Sequence, residues 1–459
     1  MRDIALVVFV AALLPFCVRR PWIGIILWFW FGLMAPHFLL WGFGRSVPFA
    51  MAVAGFTLLG WAVSKDDRQP IEWNRVVVLS VVLFFYYTFT TLFAWAPEAA
   101  WDYLSKVAKM MIMLIVMLSV IHGYSRIRWL MIVTVLSVGF YGFKGGIWAL
   151  ATGGENMVMA GTGTHTLAGN TALGLALVAV VPLAFEIARC ETRVLFKRGL
   201  YAVAMLSTVA VPFTYSRGAL VGLAAVFPFI FPRIRRFIVV LPVLAVMGYV
   251  FQDYLPDRLV KRAETIETYQ EDGSAMQRIR AWTVAWNLVK DYPLTGGGFD
   301  FEAASNRSGW WSYAGDFAMV DFLGGNRHTA HSIWFQVLGQ HGYLAFLLFV
   351  LMLLFAFVDL ARIRRRAALI VEAYWIERYS RGISIGLLGY LVCGTFLNLA
   401  YFDLLYIYLF STSLLHRELN RCERESKLGA NPSPLGSKTN PRKSSAGPAR
   451  GRVGRPASV

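Results

Sequence analysis

Most of the chain consists of long apolar runs separated by short polar connections. Because a helix needs roughly 20 apolar residues to cross a bilayer, each run is a candidate membrane-spanning helix, although several are short. The pattern predicts an all-α polytopic membrane protein with about twelve transmembrane helices. The apolar runs are 4–18, 21–41, 47–64, 76–95, 106–122, 129–150, 167–188, 199–214, 218–232, 237–251, 332–358, 382–399 and 401–416.

One long segment, between the runs that end at 251 and begin at 332, is instead polar, aromatic and rich in glycine. Residues 274–291 within it repeat apolar side chains at helical spacing. Tyr292, Pro293 and the three glycines that soon follow should end this helix. The segment therefore predicts one large, mostly helical loop on one side of the membrane.

The pattern also divides the chain into four parts. The last part is rich in Ser, Pro, Gly, Lys and Arg, a composition that buries too little apolar surface to offset the entropy of ordering. The predicted parts are an amino-terminal transmembrane bundle at 1–251, the large periplasmic loop with the catalytic motifs at 252–331, carboxy-terminal transmembrane helices at 332–416 and a disordered basic cytoplasmic tail at 417–459.

The distribution of charge supports a membrane protein. The chain is 57% hydrophobic and 15% charged, with a formal net charge of +17. In a soluble protein this charge would suggest a nucleic-acid partner, which we exclude here because Lys and Arg concentrate in the tail and on every second connection, as the positive-inside rule describes. We predict that these connections face the cytoplasm and anionic lipids. They contain Arg19, Arg20, Lys65, Arg68, Arg126, Arg128, Arg193, Lys197, Arg198, Arg233, Arg235, Arg236, Arg362, Arg364, Arg365 and Arg366.

The alternate connections, including the large loop, are poor in Lys and Arg and should face the periplasmic side of a bacterial inner membrane. The side of the amino terminus depends on the count of spans. With a cytoplasmic tail, thirteen spans would place the amino terminus outside and twelve would place it inside. No small-residue cleavage site precedes Pro21, so we predict that the first apolar segment is retained.

Three arginines are candidates for binding an anionic substrate. Arg217, at the predicted outer end of a span, would either reach lipid phosphate or hold a diphosphate through its planar, bidentate donor set. Arg278 and Arg280 lie two residues apart on the predicted helix and should point to different faces. Arg278 is the preferred candidate of the two, and the alternative for both is a face exposed to solvent or to lipid head groups.

His331 lies where the large loop meets the next apolar run. A neutral imidazole at this boundary is suited to act as a general base, and the alternative is a capping or packing role. His328 lies three residues earlier, but no third ligand stands at a suitable spacing, so we predict neither a metal site nor a cofactor. Asp300 and Glu302 are alternative bases. Lys144, inside an apolar run, should face a polar cavity, an anion or an acidic side chain.

Three motifs follow one another along the chain. They are Ser216-Arg217-Gly218-Ala219, Arg278-x-x-x-Trp282 leading into Pro293-Leu294-x-Gly296-Gly297-Gly298-Phe299, and His331-Ser332. In this order they resemble the O-antigen ligase and polymerase superfamily of bacterial inner membranes. The similarity extends from about Trp22 to Leu414. The segments 143–147, 152–154 and 330–339 are similar to the branch of exosortase-associated O-glycosylation ligases.

The resemblance implies a GT-C-like, inverting glycosyltransferase that needs no metal ion. Such an enzyme moves a glycan from undecaprenyl diphosphate to an acceptor hydroxyl, usually on a sugar of the lipid A core. His331 matches the histidine that would act as the general base, and Arg217 and Arg278 match the arginines that would bind the diphosphate. Arg280 is a further candidate for the diphosphate.

Two departures from the superfamily pattern leave the acceptor open. Ser332 stands where many relatives have Asn, and Gln340 stands where an acidic residue is common. A polysaccharide polymerase and a protein O-glycosylation ligase are therefore alternatives, with a lipid-linked repeat or a protein as the acceptor. The alternative from another class is a transporter for a lipid-linked glycan, which the scarcity of charge within the apolar runs disfavours.

Overall fold

A computed structural model describes residues 1–64, 67–161, 165–230, 273–304, 307–315 and 329–430. These residues form helices and loops without a strand, so the prediction of an all-α protein is confirmed for them. The helices are α1 (Arg2–Arg19), α2 (Pro21–Met34), α3 (Phe49–Val63), α4 (Arg75–Thr91), α5 (Pro97–Val120), α6 (Gly123–Ala151), α7 (Asn170–Cys190), α8 (Val194–Ala210), α9 (Arg217–Ile230), α10 (Gly273–Asp291), α11 (Arg307–Ser312), α12 (Ile333–Ala367), α13 (Tyr374–Gly394) and α14 (Asp403–Ala430).

The apolar runs become these helices with changes at their ends. The run 21–41 ends as a helix at Met34, because Ala35 takes a left-handed φ of 48°. The run 106–122 belongs to a helix that begins earlier, at Pro97, where proline at the first helical position is favourable. The loop helix predicted from its spacing is present as α10.

Four helices, α5, α6, α7 and α12, are long and apolar enough to cross a membrane, and α2, α3, α4 and α9 are shorter apolar helices. This set fits the predicted multi-pass membrane protein. The run 237–251 and the first part of the large loop, 252–272, lie outside the described residues. The count of about twelve spans and the periplasmic position of the loop therefore stay predictions.

Helix α7 lies at the centre of the bundle and is buried along almost its whole length. It packs against α6, α8, α9 and α13. Glycines permit the closest contact with α13, since a Cβ at Gly386 would lie 2.3 Å from the carbonyl oxygen of Ala179. Small residues at helix contacts are typical of membrane bundles, which depend on close van der Waals packing.

Basic connections meet at one end of the bundle, which we call the basic end. Arg126, at the start of α6, pairs with Asp67, between α3 and α4, at 2.5 Å. Arg366, on α12, pairs with Glu423, on α14, at 2.7 Å. Some of the cations that we predict to face anionic lipid are therefore paired with acidic side chains of the protein.

The amino-terminal end of α1 and the carboxy-terminal part of α14 lie at opposite ends of the bundle. Near the amino terminus, the Asp3 carboxylate accepts hydrogen bonds from the amides of Gly42 at 3.1 Å and Gly44 at 2.9 Å, in the connection between α2 and α3. We call this side the loop end. On α14, Glu418 accepts a hydrogen bond from the Gly123 amide at 2.8 Å, at the basic end. Opposite ends fit an odd number of crossings, as in the thirteen-span alternative.

Helix α14 continues through Arg417 to Ala430, so the predicted start of the disordered tail is wrong as far as Ala430. Arg417 donates a hydrogen bond to the carbonyl oxygen of Leu118 at 2.7 Å, and Leu419 is fully buried. These tertiary contacts stabilise a helix that the polar composition alone would not. Residues 431–459 lie outside the described part of the chain.

Candidate functional site

A break in α12 provides the anchor for the candidate site. Gly342 has a φ of 79° and a ψ of −175°, which are not helical angles. The Tyr343 amide therefore turns away from the helix and donates to the carbonyl oxygen of Pro293 at 2.8 Å. The carbonyl oxygen of Gly339, which the break leaves available, accepts a hydrogen bond from the Gly297 amide at 2.9 Å. The glycine-rich segment is thereby joined to α12 through backbone hydrogen bonds.

The glycines of this segment are required for close backbone contact. A Cβ at Gly296, where φ is 59°, would lie 2.5 Å from the carbonyl oxygen of Gly339. A Cβ at Gly298, where φ is 79°, would lie 2.3 Å from the Cβ of Ala94, in the connection between α4 and α5. The sequence predicts a tight turn here, and in the structure this turn packs closely between α12 and the α4–α5 connection.

The peptide that precedes His331 is attached to α10. The indole Nε1 of Trp282 donates a hydrogen bond to the carbonyl oxygen of Ala330 at 2.6 Å. The same indole is stacked on Phe335, in the first turn of α12, with ring centres 5.2 Å apart and planes at 9°. His331 is half-buried and has a left-handed φ of 43°, which is uncommon for a residue with a side chain.

Glu302 contacts the neighbouring peptide group, which joins Thr329 to Ala330. Its carboxylate accepts a hydrogen bond from the Ala330 amide, and its Oε2 atom is buried. Burial is the main reason that the pKa of Glu302 rises to about 8, with a further rise from the Asp300 carboxylate and opposition from amide hydrogen bonds. A group with this pKa carries its proton in much of the population at neutral pH. Glu302 therefore combines contact with the His331 segment and a perturbed proton affinity.

The two arginines of α10 have different surroundings. Arg280 is 5% exposed, and its guanidinium carbon lies 5.8 Å from the centre of a Trp311 ring. Burial lowers the pKa of Arg280. Arg278 is half-buried. We call the part of the large loop that contains α10 and α11 the loop domain. Arg280 thus belongs to the interior of the loop domain, while Arg278 retains more contact with solvent. The buried hydrophobic cluster of this domain contains Ala281, Val284, Leu288, Phe301, Trp310 and Ala314.

Arg217 is brought close to the start of α12 by the carboxy-terminal end of α13. It is the first residue of α9, and a Cβ on its neighbour Gly218 would lie 3.3 Å from Phe396. One residue before Phe396, the Thr395 hydroxyl accepts a hydrogen bond from the Trp334 indole at 3.0 Å. Trp334 lies three residues after the candidate base. The motif elements on α9, α10 and α12 therefore converge at the loop end.

Two of the secondary candidates are associated with cavities. Lys144 lines a separate cavity of about 600 Å³. Asp300 is near Lys106, which lines another cavity of about 770 Å³. Burial raises the pKa of Asp300 and the Lys106 ammonium opposes that rise. His328 lies outside the described residues.

Sequence reasoning missed a group of buried polar residues on α12. The Gln336 Oε1 atom accepts a hydrogen bond from the Ala400 amide at 3.0 Å, and the Gln340 Oε1 atom accepts one from the Tyr401 hydroxyl at 3.0 Å. His341 is fully buried one residue later. Polar residues at helical spacing inside an apolar run were the available signal. Gln340, which departs from the superfamily pattern, therefore has a structural partner.

Comparison with known families divides the chain into two regions. Residues 202–350 match the family described as O-Antigen ligase, and residues 1–192 match a family of unknown function, DUF5935. No curated protein matches the chain. The first match covers α9, α10, the glycine-rich segment, His331 and the amino-terminal half of α12. It confirms the resemblance at the level of the superfamily, while the exosortase-associated branch stays a prediction.

Proposed function

We propose that this chain transfers a glycan from undecaprenyl diphosphate to an acceptor hydroxyl. The match of residues 202–350 to the family described as O-Antigen ligase supports a glycosyltransferase-like activity. The reaction takes place on the periplasmic face of a bacterial inner membrane, needs no metal ion and inverts the anomeric centre. The first choice of acceptor is a sugar of the lipid A core.

The observation that supports the proposal is the proximity of three elements at the loop end. These are the start of α9 with Arg217, α10 with Arg278, and the segment with His331 that precedes α12. A lipid diphosphate leaves with its negative charge already present, so preorganised cations stabilise the transition state as the glycosidic bond breaks. Arg217 and Arg278 supply these cations, and Arg280 adds positive charge from the interior of the loop domain. The proposed site thereby combines a proton acceptor with anion-binding groups.

The transfer requires only these residues and the two substrates. The acceptor oxygen forms a bond to the anomeric carbon from the face opposite the diphosphate. The bond from that carbon to the diphosphate oxygen breaks, and its electron pair leaves with undecaprenyl diphosphate. The imidazole of His331 takes the proton of the acceptor hydroxyl and later releases it to solvent.

Replacement of the base is the direct test. With purified protein, undecaprenyl-diphosphate glycan and a chelator, His331→Ala should lower the transfer rate by about 100-fold or more, the range of general base catalysis. Donor binding should change little, because the arginines remain. His416→Ala, at the basic end, is the matched control. A His331→Ala enzyme with undiminished transfer would exclude the proposed role.

The acceptor that is consumed in this assay distinguishes the proposed function from its alternatives. Consumption of lipid A-core identifies a ligase of that type. Consumption of a second lipid-linked repeat instead identifies a polymerase, and modification of a protein hydroxyl identifies a protein O-glycosylation ligase. Movement of the donor across a liposome membrane without a covalent product would replace the enzyme proposal with transport.

A further inference from the structure

The cavity lined by Lys144 is built entirely by residues 1–192, the region that matches a family of unknown function. It has a volume of about 600 Å³ and lies between the α2–α3 connection, the carboxy-terminal half of α6, residues 157–161 and His165. Arg2, Arg45 and Lys144 line it together with His165, and none of the described lining residues is acidic. We call it the basic cavity.

The cations of the basic cavity are at the end of the bundle where the positive-inside rule does not place them. Arg45 follows Gly44, whose amide binds Asp3 at the loop end. The carboxylate of Asp3 is engaged by two backbone amides, and within the described part of the chain no ion pair joins Arg2, Arg45 or Lys144 to a carboxylate. Retention of positive charge in the cytoplasm therefore does not explain these residues, whereas an anionic ligand does.

The remaining wall of the basic cavity suits a sugar-bearing ligand at the membrane surface. Trp41 and Trp148 expose 90% and 52% of their side chains, and both line the cavity. Flat aromatic faces pack on the apolar faces of sugar rings, and Arg and Lys bind phosphate oxygens. The volume falls within the range of small-ligand pockets, roughly 300 to 1,000 Å³.

The basic cavity also adjoins the larger cavity of about 770 Å³, which is mostly apolar and contains Lys106. Phe38 and His165 line the basic cavity, and their chain neighbours His37 and Thr166 line the larger one. The Phe38 and His165 rings stack at 5.4 Å across this shared wall. A ligand in the basic cavity would therefore lie directly beside a space fit for lipid chains.

We propose that the basic cavity binds the phosphate-bearing head group of a glycolipid, and that it is the docking site of the acceptor. The second half of this statement rests on the proposed transferase function. Arg45 and Lys144 bind the phosphate oxygens, Trp41 and Trp148 pack on the sugar, and Arg2 adds charge at the rim. The phosphate could also belong to bulk anionic phospholipid, which the experiment distinguishes.

Binding is measured first, on the full chain carrying His331→Ala so that no transfer occurs. The protein is placed in phosphatidylcholine nanodiscs and titrated with an acylated glucosamine disaccharide, with and without its phosphates. The phosphorylated form should bind at least about tenfold more tightly. Adding R45Q and K144Q together should remove that preference. R193Q with K197Q, at the basic end, is the matched control and should retain it.

Three results of these titrations would count against the proposal for the basic cavity. Equal binding of the two glycolipids, or a preference that survives R45Q with K144Q, would overturn the site. Loss of the preference when phosphatidylglycerol is included in the nanodiscs would assign the cavity to bulk phospholipid and overturn the acceptor role.

Transfer is measured next, with His331 restored. R45Q with K144Q should raise the KM for the phosphorylated acceptor at least about tenfold and leave kcat and the KM for the donor nearly unchanged. An unchanged acceptor KM would overturn the docking role. If no acceptor is consumed by the unaltered enzyme, the transferase proposal fails, while the binding result still decides whether the cavity recognises phosphate.

Discussion

Ala330, the residue before His331, is held through both of its backbone polar groups. Trp282 donates to the carbonyl oxygen, and Glu302 accepts from the amide. A left-handed φ at a residue such as His331 costs of order 1–3 kcal/mol and persists where surrounding contacts determine it. We interpret Trp282 and Glu302 as positioning residues that set the direction of the imidazole.

Trp282→Phe tests the first of these contacts. Phenylalanine keeps an aromatic ring against Phe335 but loses the donor to Ala330, at a cost of about 1 kcal/mol in stability. We expect kcat to fall about tenfold or more, since small displacements of a catalytic group are costly, with the donor KM nearly unchanged. Trp286→Phe, half exposed on the same helix, is the control. Equal kcat values for the two variants would contradict the positioning role.

Glu302→Gln tests the raised pKa of Glu302 through the pH dependence of stability. In the folded protein, Glu302 keeps its proton up to a pKa of about 8, whereas the ordinary value is 4.5. The unfolded chain therefore releases this proton first, and the free energy of unfolding should fall as pH rises from 4.5 to about 8.

The Gln variant should have a flatter dependence, measured as the unfolding temperature in detergent across that pH range. Glu98→Gln, at the exposed start of α5, should retain the dependence of the natural protein. A Glu302→Gln variant with an unchanged slope would show that Glu302 titrates normally.

At the scale of elements, the glycine-rich segment and α12 depend on each other. The break at Gly342 exposes backbone groups in the middle of the helix, and the segment from Pro293 to Gly298 satisfies them. The same hydrogen bonds attach the loop domain to the bundle. A change at the break should therefore affect the orientation of α10 as well as the stability of α12.

Gly342→Ala tests this dependence. Its Cβ would lie 2.4 Å from the carbonyl oxygen of Pro293, and its φ of 79° disfavours any side chain. We expect destabilisation of at least about 3 kcal/mol and loss of transfer, measured by SDS unfolding and by activity. Gly199→Ala, in α8, meets no atom within 4 Å and should be neutral or slightly stabilising. Comparable stability of the two variants would contradict the argument.

For the whole molecule, the two ends of the bundle differ in their ion pairs and in the candidate sites that they contain. The basic end joins its cations to Asp67 and Glu423. The loop end contains both cavities, the glycine-rich segment and the segment with His331. If the loop end faces the periplasm, the donor glycan and the acceptor reach the candidate site from the same side of the membrane.

Cysteine labelling in intact cells tests this orientation. A membrane-impermeant thiol reagent should modify Ser46→Cys, at the loop end, before the membrane is opened. Leu369→Cys, which is 86% exposed in the protein, should react only after permeabilisation. The unaltered chain gives the background from its natural cysteines, of which Cys17, Cys393 and Cys422 are buried. The reverse labelling pattern would place the candidate site in the cytoplasm.

The local sequence determined where most helices lie, because the apolar residues of each run form the surface that its helix buries. The spacing within 274–291 predicted α10, and the Tyr292-Pro293 step with the glycines that follow predicted its end. The motif residues also indicated the superfamily, and the family match of residues 202–350 supports that prediction. These features depend on neighbours in the chain and are visible without the fold.

Only the tertiary structure decided the environment of each side chain. The burial of Arg280 and Glu302, the break at Gly342 and the helix beyond Arg417 all depend on segments distant in sequence. Desolvation and backbone hydrogen bonding act between such segments, and no local pattern encodes them. For the same physical reason, the sequence predicted that Lys144 faces a polar cavity, an anion or an acidic side chain, but did not reveal that it shares a cavity with two arginines.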